Sequence, residues 1–107
     1  MGAGVGTVRG MTDTTNRDHV IRQMRDAILD NDLAIVKLVN KRLSLVAKLR
    51  DYKAEHDMPF LDTEREAWMH RYHRSANSGP LTAEGLTDLL NHLLDLTKTE
   101  TRARSDA

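Results

Sequence analysis

Between about Arg22 and Glu55 the apolar positions fall three or four residues apart, the spacing of a core-facing helix. Ile21, Met24, Ile28, Ile35, Val39, Val46 and Leu49 form the ridge, which is expected to be buried. Two cations interrupt it. From Arg42 through Val46 and Leu49 to Lys53 the steps are four, three and four, so the chain returns to within roughly 20° of its starting direction. Arg42 and Lys53 therefore point where the core should be. Burying an unpaired charge is costly, so this pattern calls for something anionic between them.

The helical period runs without Gly or Pro from possible N-caps at Asp13 to Asn16 up to Glu55, a rod of roughly 55 to 60 Å. His56, Asp57, Met58 and Pro59 break it, because the residue before a proline is pushed out of the helical region. Leu61-Asp62-Thr63-Glu64 starts a second helix with a cap and acids in its first turn, and this helix is expected from Thr63 to Ala76. Asn77, Ser78, Gly79 and Pro80 form a turn. Thr82-Ala83-Glu84 opens a third helix with the apolar stripe Leu86, Leu89, Leu90, Leu93, Leu94, expected to fray beyond Thr101. No strand pattern competes. The fold class is all-α with three helices per chain: a flexible N-terminal tail over 1–16, a helical domain over 17–102 and a polar C-terminal tail over 103–107.

Composition changes this picture in two places. The chain of 107 residues carries one tryptophan, one phenylalanine and two tyrosines, so a lone copy has a thin core and a homodimer is expected. Sixteen basic and sixteen acidic residues cancel, which argues against a nucleic-acid partner, where a basic excess is the rule. The basic segment Lys37, Lys41, Arg42, Lys48, Arg50, Lys53 keeps a helical interaction or DNA-binding module as the rival from outside enzymology. There is no cysteine, and a reducing, cytoplasmic setting fits. No apolar run is long enough for a membrane span, and the first sixteen residues lack the apolar segment of a signal peptide. Glu66, His70 and His73 share a face of the second helix, but this reads as a solvated face rather than a metal site, and no metal is expected.

Arg25 lies seventeen residues before Arg42 on the same helix, about 25 Å along a straight rod and rotated by roughly 100°. One helix cannot close both on one small ligand. If two copies pack antiparallel, Arg25 of one arrives near Arg42 and Lys53 of the other, making one shared site per chain. Three cations around a pocket imply a ligand with at least two anionic groups, most simply a dicarboxylate. Asp62, Arg65 and Glu66 add a second polar cluster at the start of the second helix, beside a loop that can lie over the Lys53 end.

Arg25-Asp26-x-Ile28, Asp32, Asn40-Lys41-Arg42, Tyr52-Lys53 and Asp62-Thr63-Glu64-Arg65-Glu66 together resemble the all-helical, AroQ-type chorismate mutases. The match spans about Val20 to Thr101, with the spacings from Arg25 to Glu66 kept without a gap. The resemblance implies an intertwined helical homodimer whose sites draw on both protomers. It implies an isomerase that rearranges chorismate to prephenate in aromatic amino-acid biosynthesis, with no cofactor. Two relatives on the same scaffold remain alternatives, a 4-amino-4-deoxychorismate mutase and an isochorismate pyruvate lyase.

Carried over position by position, Arg25 from the partner chain and Arg42 bind substrate carboxylates. Lys53 contacts a carboxylate and the ether oxygen, Glu66 accepts the ring hydroxyl, Asp62 helps hold that hydroxyl through its backbone, and Arg65 supports the edge. The family's third-helix serine and glutamine fall on Thr97 and Thr101, with a one-residue deletion in the turn. The glutamine normally donates to the ether oxygen. Here Thr101 is left to donate through its hydroxyl, or Glu100 if protonated. A site completed by an activating partner enzyme is a further expectation.

Overall fold

The structure, a computed structural model, describes the backbone of residues 2–106 and the side chains of residues 15–101. Three helices follow one another: α1 at Gly2–Glu55, α2 at Thr63–Ala76 and α3 at Ala83–Asp106. No strand occurs among the described residues, so the all-α expectation holds. The bound of α1 at Gly2 lies ahead of the caps read at Asp13 to Asn16. The tails expected over 1–16 and 103–107 fall almost wholly outside the residues whose side chains are described.

The chain divides into two units, Met1–Val39 and Asn40–Ala107. The first consists of the earlier part of α1, and its ridge differs from the expectation of burial. Ile21, Met24, Ile28 and Ile35 are all exposed, Met24 at 61 %. Leu29, Leu33, Val36 and Leu38 are exposed as well. Periodicity identifies which face of a helix is apolar, but burial needs a second surface, and the single chain does not supply one here.

The second unit holds the last part of α1 together with α2 and α3, and α2 packs on α3. Among the described residues, Leu86 is the one buried apolar side chain, and the other buried positions are Thr97 and Thr101, at 5 % and 1 % exposure. The thin core expected from composition is therefore real for one copy, and its most enclosed residue is polar.

Local chemistry fixes the ends that matter. The amide of Met58 donates to the Lys53 carbonyl at 2.7 Å and that of Asp57 to Ala54 at 3.3 Å, the paired reverse bonds of a Schellman cap. Asp57 takes the left-handed position, with φ 54°, which an aspartate tolerates at some cost. The cap ties down the backbone of Lys53, which sits in the last turn of α1. Replacing Asp57 with Gly is expected to stabilise the fold by about 0.5 to 1 kcal/mol. Thermal denaturation followed by helical dichroism checks this, and a lower midpoint would contradict the cap.

The start of α2 is equally local. Asp62 is extended and its Oδ1 accepts the Arg65 amide at 2.9 Å, so the cap holds Arg65 and Glu66 in the first turn. Between α2 and α3, Asn77 accepts the Gly79 amide at 3.1 Å and donates to the Leu81 carbonyl at 2.9 Å. Gly79 has φ 82°, a conformation that glycine adopts without steric penalty. Thr82 then caps α3 by accepting the Gly85 amide at 3.0 Å.

Candidate active site

Within the second unit, α1, the segment after it, α2 and α3 line a cleft of about 120 Å³. Arg42 and Lys53 reach it from α1, Asp62, Arg65 and Glu66 from the start of α2, and Thr97 and Lys98 from α3. Val46, Leu49, Phe60, Leu61, Met69 and Leu94 supply the apolar part of the wall. The four, three, four spacing on α1 explains the first contribution: Arg42 and Lys53 flank Val46 and Leu49 on one face, and the cleft opens against that face.

Each polar group is held differently. Arg42 is half-buried and donates from Nη1 to the Thr97 hydroxyl, an anchor that joins α1 to α3. Lys53 and Glu66 are half-buried, and neither side chain has a hydrogen-bond or ion-pair partner among the described residues. Arg65 is exposed, and its guanidinium lies 4.5 Å from the centroid of the Trp68 ring, a cation–π contact one helical turn away. The backbone carbonyl of Asp62 accepts the Glu66 amide at 3.0 Å, while its carboxylate is engaged by the cap.

Of the residues expected from the sequence, six meet in this cleft: Arg42, Lys53, Asp62, Arg65, Glu66 and Thr97. Arg25 belongs to the first unit, where it is exposed and lines a surface hollow with Asp18, Arg22 and Asp26. Thr101 does not line the cleft. It is buried, donates to the Thr97 carbonyl at 2.5 Å and accepts from Arg50 Nη1 at 3.4 Å. The bound of α3 is Asp106, and the fraying expected beyond Thr101 lies outside the residues whose side chains are described. Glu100 is exposed and absent from the lining.

That position of Glu100 carries an expected result. Glu100→Gln should change turnover by no more than about twofold at any pH from 5 to 8, as for surface substitutions in general. A rate that collapses in the variant, or one whose acid limb disappears, would restore a protonated Glu100 to the chemistry.

Two roles were not legible in the sequence. Lys98 lines the cleft, and Arg50 holds Thr101 while its guanidinium lies 4.6 Å from the centroid of the Phe60 ring. A signal for Lys98 was present: Leu86, Leu90 and Leu94 recur every four residues, and the next place is a cation. It is the same anomaly that Arg42 and Lys53 present on α1. Glu66, His70 and His73, noted as a face of α2, line a smaller neighbouring hollow with Arg42, and Nδ1 of His73 faces the Met69 carbonyl at 2.6 Å.

A cleft with cations from all three helices and carboxylates at the start of α2 suits a small dianion that also carries a hydroxyl or an amine. Residues 24–102 match the family described as chorismate mutase type II. The chain belongs to that family. Type II chorismate mutases are isomerases, and the family implies chorismate as the substrate. The matched span takes in Arg25 and every residue of the cleft. No curated protein and no solved structure matches the chain. Among the described residues no helix is long and apolar enough to cross a membrane.

Proposed function

We propose that the cleft binds chorismate and rearranges it to prephenate, the isomerisation of aromatic amino-acid biosynthesis, in a homodimer in which each site takes Arg25 from the partner chain. The observation that supports this most is the gathering of Arg42, Lys53, Asp62, Arg65 and Glu66 around one cleft. Arg42, held by Thr97, grips one substrate carboxylate. Arg25 of the second copy takes the other. Lys53 reaches a carboxylate and the ether oxygen, Glu66 accepts the ring hydroxyl, Asp62 supports that hydroxyl from the backbone, and Arg65 guards the edge. Thr97 orients Arg42, and Thr101 stands at the place of the family's glutamine.

Such a reaction needs no nucleophile. The ether C–O bond breaks while a C–C bond forms between the enolpyruvyl methylene and the ring, and no proton is gained or lost. The protein folds the side chain over the ring and stabilises negative charge growing on the ether oxygen. A million-fold acceleration corresponds to about 8 kcal/mol. One well-placed donor contributes about 3 to 4 kcal/mol, so two donors and conformational restraint reach that scale.

Two features support the dimer. The apolar face of α1 formed by Ile21, Met24, Ile28 and Ile35 is exposed in one copy, where an amphipathic helix ordinarily covers such a face with a second surface. The cleft of about 120 Å³ is also smaller than the roughly 300 Å³ at which ligand pockets begin, as fits a half-site that a second copy extends. The setting that suits this chemistry is the cytoplasm.

The same carboxylate that accepts the ring hydroxyl suits a second substrate equally. The half-buried Glu66 carboxylate has no partner among the described residues, and it pairs with an ammonium as readily as with a hydroxyl. The amino analogue, 4-amino-4-deoxychorismate, is thus the alternative. Offering the purified protein chorismate, the amino analogue and isochorismate separately, with identification of each product, decides among mutase, amino-mutase and pyruvate lyase. Turnover of none of them overturns the assignment.

A further inference from the structure

The end of the site formed by α3 lacks a free donor at the places where the family resemblance would put one. Thr97 gives its hydroxyl hydrogen to the Leu93 carbonyl at 2.7 Å and accepts from Arg42. Thr101 gives its own to the Thr97 carbonyl at 2.5 Å and accepts from Arg50. A hydroxyl has one hydrogen, and both are spent within the helix in the back-bonding typical of helical threonine. Each would have to give up an intrahelical bond to reach a substrate oxygen.

Lys98 is placed otherwise. It stands three residues before Thr101, on the same face of α3, and lines the cleft with Lys53, Asp62, Arg65 and Glu66. Its side chain is half-buried and has no hydrogen-bond or ion-pair partner among the described residues. Three N–H groups on a flexible stem are therefore available at this end of the site.

We propose that Lys98 is a catalytic residue of this chain, donating from its ammonium to the ether oxygen of the bound substrate while Lys53 serves the same oxygen from α1. This rests on the reading of the cleft as a chorismate-type site. As the ether C–O bond lengthens and the new C–C bond forms, the electron pair moves toward the oxygen and the Lys98 hydrogen bond strengthens. The proton stays on Nζ. The interaction is stronger in the transition state than with bound substrate, so it acts on kcat. A Lys98 that merely balanced charge would bind both states alike and act on KM.

The test compares Lys98→Met and Lys98→Gln with the wild type, each checked for helical dichroism and dimer mass, on chorismate and on its amino analogue. Lys98→Met is expected to lower kcat by about a hundred-fold with KM changed less than about threefold. Lys98→Gln, which restores an N–H donor without the charge, is expected to recover at least about tenfold of that loss. A folded Lys98→Met with kcat within about threefold of wild type, a rise confined to KM, or equal losses in the two variants overturns the proposal and leaves the chorismate reading standing. A wild type inactive on both substrates overturns the reading itself and this proposal with it.

Discussion

Replacing Lys53 by Ala is expected to lower kcat/KM for chorismate by at least about a hundred-fold. The side chain is half-buried beside Val46, Leu49 and Phe60, and its ammonium has no competing partner among the described residues. Its backbone is pinned by the Met58 amide at 2.7 Å, so the charge is presented from a fixed point at the end of α1. Deletion removes a donor preorganised toward the oxygen where charge develops, and the deficit should fall mainly on kcat. Arg42→Ala should cost about as much but fall more on KM, because a carboxylate grip acts on bound substrate and transition state together. Steady-state kinetics on both variants measures the division. Wild-type-like rates in either would remove the cleft from consideration as the active site.

The second large effect is one of restoration. Arg25→Ala and Arg42→Ala should each be nearly inactive alone, yet mixing equal amounts under conditions of subunit exchange should recover about a quarter of wild-type activity. In a shared-site dimer, a mixed pair joins one chain that keeps Arg42 with another that keeps Arg25, giving one intact site and one doubly damaged site. Half of the dimers are mixed at statistical exchange, and one site in two within them works. Chains that act alone recover nothing on mixing. Activity rising with exchange time, alongside an unchanged dimer mass, would tie Arg25 to the neighbouring chain's cleft; no recovery after demonstrated exchange would place it outside the site.

Much of this molecule is local, and local features were legible. The end of α1 follows from Asp57, Met58 and Pro59, the start of α2 from Asp62, and the turn before α3 from Asn77, Gly79 and Thr82. Each depends on contacts within a few residues. The site was legible as far as one helix could express it, since the spacing of Arg42, Val46, Leu49 and Lys53 fixes which side chains share a face. Lys98 and Arg50 were missed because their meaning depends on other helices. A lysine at the end of a leucine stripe is indistinguishable from a snorkelling surface residue until α1 and α2 are seen across from it.

The apolar ridge teaches the complementary lesson. Ile21, Met24, Ile28 and Ile35 were read correctly as one face, while their burial did not follow for the single chain, because solvent is excluded only by a second surface. Thr101 was expected as a donor to the substrate and is the most enclosed side chain described, its hydroxyl turned to the Thr97 carbonyl. Sequence alone thus determined the three helices, their breaks, the family and the cations on the ridge of α1, since these rest on backbone periodicity and capping between near neighbours. Tertiary structure alone decided which hydrogens remain free: it gave those of Thr97 and Thr101 to backbone carbonyls and left Lys98 facing the cleft, because hydrogen-bond capacity is consumed by whatever lies in reach in space.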